Sequence, residues 1–308
     1  MKTNTIFHPR AFLRSLFAIA ALFAAPGTVR AAFLYVSSST QTVDQVSSGG
    51  VVSLFATLPA NSNPFGVAFD SSGNLYAAGF STQQISKITP GGVVSTFATL
   101  TGTVNPTGLA FDGSGNLYVA EFSAGQIAKI TSGGVVSTFA TLTGSNPFGL
   151  AFDGSGNLYA AGSNSDKILK ISSGGTVSTF ATLSTNSFPQ GLAFDSSGNL
   201  YSANVTTNQI SKITSGGVVS NFAAPPANSA PTGLAFDSNG NLYVAENSTN
   251  LISTITSGGV VSTFATGING PNFIALAPIP EPTSAVLMMG GSVLLAVRRR
   301  RIRSVSPH

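Results

Sequence analysis

The chain has 308 residues, 43% of them hydrophobic, with no cysteine, no tryptophan and a formal charge of +4. Without cysteine there is no disulfide framework, no thiol nucleophile and no cysteine-ligated zinc. Residues 32–277 hold five lysines, no arginine and nine carboxylates, a net charge of −4; the basic balance belongs to the two ends, and a body without a basic stripe excludes nucleic-acid binding.

Residues 1–31 read as a signal peptide. Lys2, Arg10 and Arg14 precede an apolar run from Leu16 to Ala25, and Val29 and Ala31 place small residues at −3 and −1 of a cleavage site after Ala31. The run is too short for the ~20 residues of a membrane span.

From Phe33 the chain enters a repeat part-way through a unit. Gly108 to Glu121 reads GLAFDGSGNLYVAE, and the stretch returns at Gly66, Gly149, Gly191 and Gly233. Its aspartates, Asp70, Asp112, Asp153, Asp195 and Asp237, are 41 or 42 residues apart. A fixed period of this length, with several short apolar runs in each unit, marks a propeller or repeat array. In the unit beginning at Gly108, Leu109 to Phe111 and Leu117 to Val119 are two strands around a DGSGN turn. Gln126 to Thr131 is the third strand. After a Gly133-Gly134 turn, Val135 to Thr141 is the fourth, with Val135, Ser137, Phe139 and Thr141 expected on one face. Four strands per unit is one propeller blade.

Six Gly-Gly turns recur, at Gly49, Gly91, Gly133, Gly174, Gly216 and Gly258. The unit starting at Phe33 lacks an opening strand, and Phe273 to Ala277 can supply it, sealing the ring with both termini. The expectation is an all-β, six-bladed propeller of four-stranded blades over residues 32–277, with blade one closed by the C-terminal strand.

Residues 278–308 break the pattern. Pro280-Glu281-Pro282 is followed by an uncharged stretch to Val297 and an arginine cluster at Arg298–Arg301 and Arg303. As a helix of about 24 Å it falls short of the ~30 Å hydrocarbon core. These three parts resemble the PEP-CTERM sorting signal of Gram-negative bacteria. The resemblance implies Sec export, recognition by an exosortase, transient inner-membrane anchoring through the C-terminal transmembrane helix alone, and delivery to the envelope, outer surface or extracellular matrix alongside exopolysaccharide and surface proteins.

The repeats resemble NHL-type propeller repeats, whose core runs roughly P-x-GVAVD-x-x-GN-LYVAD, over residues 33–277. The family's usual aspartate at the end of the second strand is here Ser38, Gly79, Glu121, Gly162, Asn204 and Glu246. Glu121 and Glu246 lie three blades apart, so with Asn204 they are candidates to hold a Ca²⁺ ion across the axis, against the blander reading of separate solvated residues. The gluconolactonase and senescence-marker-like propellers, similar in blade count and coarse repeat, imply a divalent metal held by Glu, Asn and Asp. Asp166-Lys167 reads as a solvated loop pair, and the repeated Tyr and Phe positions read as packing between blades.

The body has no histidine, because His8 and His308 lie at the ends. Ser–His and Cys–His nucleophile pairs are excluded. No catalytic residue is assigned, and no metal or cofactor. The expected function is an exported, non-enzymatic glycan- or protein-binding module; the alternative is a metal-dependent, lactonase-like hydrolase.

Overall fold

The computed structural model describes residues 34–277. The Ala31 cleavage site, the Pro280-Glu281-Pro282 motif and the C-terminal helix lie outside the described residues. Within them are 24 strands in six antiparallel four-stranded sheets and no helix, hence no helix able to cross a membrane.

Blade three shows the plan. Pro106–Phe111 is innermost, followed outward by Leu117–Glu121, Gln126–Ile130 and Val136–Thr141. Blade one is composite. Pro271–Leu276 pairs with Leu34–Ser38, setting Leu34 opposite Leu276 and Val36 opposite Ile274. The ring is therefore closed by strands from both ends of the described chain.

Each hairpin between the first two strands is fastened by its aspartate. One oxygen of Asp112 accepts from the backbone N–H groups of Ser114 and Asn116, at 2.9 and 2.8 Å; the other accepts from the Asn116 amide at 2.8 Å and the Tyr118 hydroxyl at 3.4 Å. The same set recurs at Asp70, Asp153, Asp195 and Asp237.

The core lies between blades. Leu117 and Val119 face blade two, where they meet Tyr76, Ala78 and Ile85; Tyr118 and Ala120 face blade four, with Leu150 and Leu158. Both faces of the second strand are thus buried, which its unbroken apolar sequence requires. Five of the six tyrosine rings are held edge-on by two phenylalanines, one from the outer strand of the same blade and one from the inner strand of the next; Tyr243 has only Phe264 among the described residues, because Leu276 ends the following inner strand. Tyr118 lies 4.9 Å from Phe139 and 5.1 Å from Phe152. Lys129 extends over the same ring, its Nζ 5.4 Å from the centroid.

The fourth strand departs from strict alternation. A bulge at Phe139 shifts the register between Ile127↔Ala140 and Ala128↔Thr138, so Ser137 and Thr138 are both exposed. The bulged carbonyl lies against the next blade's Gly-Gly turn. A Cβ on Gly175 would crowd Phe139 O, and the same holds for Phe264 O at Gly50 and Phe222 O at Gly259. These glycines also sit at positive φ, so two requirements meet in one residue type.

Candidate functional site: the channel mouth

The six inner strands approach one another closely. A Cβ on Gly108 would land on the carbonyl oxygen of Phe148, and one on Gly149 on that of Gln190. Around this tight hub, the residue after the opening proline of each inner strand is Phe65, Thr107, Phe148, Gln190, Thr232 or Asn272.

Phe148, 5% exposed, is the centre of the mouth. Its ring meets Phe65 at 5.5 Å, Phe122 at 5.7 Å and Phe273 at 6.0 Å, the last stacked and the others edge-on. Phe65 also meets Phe80 at 5.1 Å. These rings come from blades one to four, so aromatic side chains converge across the axis. Phe65, Phe80, Phe122 and Phe273 are half-buried, leaving part of the cluster open. Offset and edge-on rings add attraction beyond the area they bury.

Polar side chains fix the backbone around the rings. The Thr107 hydroxyl donates to Phe148 O at 3.0 Å, the Thr232 hydroxyl to Asn272 O at 2.7 Å and the Asn272 amide to Pro64 O at 2.8 Å. The Ser37 hydroxyl donates to the Phe65 carbonyl and accepts from the Phe273 N–H. Gln190 is buried, and its Oε1 has no partner among the described residues. Beside Phe122 a shallow depression of about 290 Å³ lies between the connectors of blades three and four, lined by Ser123, Gly125, Ser145, Asn146 and Asn164. Asn146 ties its rim to the aromatic cluster by donating to Phe122 O at 3.0 Å.

Glu121, Asn204 and Glu246 occupy equivalent strand ends, opposite Pro106, Pro189 and Pro231 of the inner strands. This register aims under the blade's own connector. At Gly162, a Cβ would lie 2.6 Å from Ser165 Oγ and 3.2 Å from Ser145 Oγ. The Asn204 amide donates to Ser211 Oγ at 2.8 Å, while its oxygen accepts from Ser202 at 3.0 Å. Glu246 is fully buried; one oxygen accepts from Thr249 at 3.1 Å and the other has no partner among the described residues. Burial pushes its carboxyl above the ordinary range, with the Thr249 hydroxyl pulling the other way. Glu121 is 6% exposed, makes no hydrogen bond among the described residues, and is raised by burial.

These residues do not fit a central metal. Phenyl rings converge where oxygen donors would have to, the Asn204 amide is already engaged on both sides, and no three acidic or imidazole groups among the described residues are close enough to share an ion. Of the other carboxylates, Asp166 caps the next connector by accepting from the N–H groups of Asn186 and Phe188, at 2.8 and 3.0 Å. Asp44 accepts from Thr42 at 3.3 Å, and burial raises its carboxyl.

The molecule is thus a six-bladed propeller with an aromatic mouth and isolated buried carboxyls around it. Residues 56–270 match the Virginiamycin B lyase family, and the chain belongs to that family. Its fold is similar to "Streptogramin B lyase structure" (19% identity, TM-score 0.64, covering 80% of this chain and 88% of that one). It is similar to virginiamycin B lyase from Staphylococcus aureus (20% identity, TM-score 0.64, 80% and 92%). The propeller in a nidogen/laminin complex is also similar (20%, TM-score 0.70, 80% and 98%). No curated protein sequence matches the chain.

The family corrects the expectation of a non-enzymatic module, since it is named for an enzyme. That expectation rested on the missing nucleophile–base pairs. A lyase needs no nucleophile, and one positioned base can remove the proton. The aromatic mouth was missed because its defining position reads Phe, Thr, Phe, Gln, Thr, Asn, with no repeat to draw attention to it.

Proposed function

We propose that the protein is a lyase-type propeller that holds a cyclic ester bearing apolar rings on its aromatic mouth and opens it by elimination, with Glu121 as the base. The observation that carries this reading is the Glu121 carboxyl: buried, without a hydrogen-bond partner, raised by burial, and at the strand end that leads directly into Phe122 of the mouth. A carboxylate stripped of hydrogen bonds is a stronger base than one in water.

The step balances without water. Glu121 takes a proton from the carbon next to the one bearing the ester oxygen. The C–H electron pair becomes a C=C bond, the C–O bond breaks, the ring opens to an unsaturated carboxylate, and Glu121 gives its proton up to that carboxylate or to solvent. The half-exposed rings of Phe65, Phe80 and Phe122 supply an apolar platform, and the Ser/Asn depression beside Phe122 supplies polar contacts. One similar structure is a catalytically inactive histidine-to-alanine variant of the S. aureus lyase with quinupristin (20% identity, TM-score 0.63, covering 81% of this chain and 94% of that one). Residues 56–270 here contain no histidine, and the reading gives the base's role to the Glu121 carboxyl instead. The reading locates this activity at the envelope or outside the cell, which the signal-like segment and the Pro280-Glu281-Pro282 motif support.

The test is turnover of streptogramin B and simpler aryl-bearing lactones by the wild type and by Glu121→Gln. We expect Glu121→Gln to lose about 10²-fold or more of kcat/KM while folding normally. In the wild type the rate should fall with decreasing pH at a point above the ordinary glutamate value of 4.5, because only the ionised base works. Full activity in Glu121→Gln would remove Glu121 from the mechanism.

A further inference from the structure

We propose that the outer edges of the blades are pairing surfaces for a second copy of this chain, so that the propeller assembles edge to edge. The inference is independent of the chemistry at the mouth.

The outermost strands are Val52–Thr57, Val94–Thr99, Val136–Thr141, Val177–Thr182, Val219–Ala223 and Val261–Thr266, each paired on one side only. Four of the six read VSTFAT; the others are VSLFAT and VSNFA. None contains a charge or a proline, the usual means by which an exposed edge is kept from pairing. The segment is also rich in β-branched residues, a composition suited to strand-on-strand association.

A second observation points to the same place. All the exposed large hydrophobic residues among the described ones lie on these strands or the turn before them: Val51, Leu54, Val93, Val135, Val136, Val218 and Val260, most about two-thirds exposed. Apolar exposure confined to five of the six equivalent edges, with Thr176 at the matching turn position of blade four, is a patterned surface.

The occupant follows from self-complementarity. An antiparallel partner for VSTFAT must be uncharged and β-branched, and the chain carries that strand several times over. The bulge and the neighbouring Gly-Gly turn cover the phenylalanine carbonyl, leaving the run from the turn valine to the exposed threonine, Val93 to Thr96 in blade two, as the open part. One such pairing is short and weak. Edges pointing outward all round a closed ring let one chain pair with several neighbours, so association grows with concentration.

The test is sedimentation of the full chain across concentration, beside a variant carrying Leu54→Lys, Thr96→Lys, Thr138→Lys, Thr179→Lys, Asn221→Lys and Thr263→Lys. All six positions are exposed, so the fold should be unaffected. We expect the wild-type weight-average mass to rise about twofold or more with concentration, and the variant to stay at one chain with an unchanged thermal midpoint. Amide exchange on the wild type is the second readout, and protection of the Val94–Thr96 edge and its equivalents should grow with concentration. A wild type that remains a single chain, or edge amides that exchange alike at every concentration, would overturn the proposal.

Discussion

Asp112 accepts four hydrogen bonds within one hairpin, and its carboxyl illustrates how the repeat is held. Burial alone would raise it, but the bonds from Asn116 and Ser114 outweigh that effect and hold it below the ordinary value. Asp70, Asp153 and Asp195 behave alike. A depressed folded-state pKa stabilises the fold above the unfolded value of ~3.9 and ceases to do so as pH falls through the lower folded value. Thermal midpoints should therefore drop below about pH 4. Asp112→Ala should cost about 2 kcal/mol at neutral pH, or about 2–4 °C of midpoint per kcal/mol. Glu246 has the opposite sign. Its carboxyl is raised, so the stability it contributes is complete below the unfolded value and is lost as pH rises through the folded one. Glu246→Gln should raise the midpoint at pH 7 and leave it unchanged in acid; a lower midpoint at pH 7 would show that the ionised group is stabilised where it sits. The aspartate turns were legible because turn chemistry is local. The orientation of Glu121 and Glu246 was not, because it depends on connectors from outside the strand.

Among the elements, the inner strand tolerates least change. Gly149→Ala would drive a methyl into the Gln190 carbonyl of the next blade, with backbone on both sides unable to yield. A loss of more than about 3 kcal/mol is expected, read by denaturant unfolding. Gly154→Ala is the control, because nothing lies within 4 Å of its Cβ position and its φ is not positive. It should be neutral or stabilise by a few tenths of a kcal/mol. The strands themselves were readable from period and turn spacing. The fourth-strand bulge was not, since the run Val135 to Thr141 alternates well on paper, and only packing of Phe139 against Tyr118 and of its carbonyl against the next turn forces the extra residue.

For the whole molecule, closure and function are the two claims. Removing residues from 271 onward strips Ile274 and Ala275 from the core beside blade one and exposes the inner edge of Leu34–Ser38. The expected loss is about 5 kcal/mol, and a truncated chain with the parent's midpoint would show that the ring does not need its terminal strand. Blade number and closure were visible in six Gly-Gly turns and one missing opening strand. Membership of a family named for a lyase was hidden, because the proposed elimination can rest on one buried carboxyl and leave no motif. The measurement that bears most directly on the account is the mass of the product formed from a cyclic ester substrate. Elimination opens the ring without adding atoms, so the account predicts a ring-opened product of the same mass as the substrate, formed about 10²-fold or more slowly with Glu121→Gln. A product heavier by one water would show hydrolysis and contradict it.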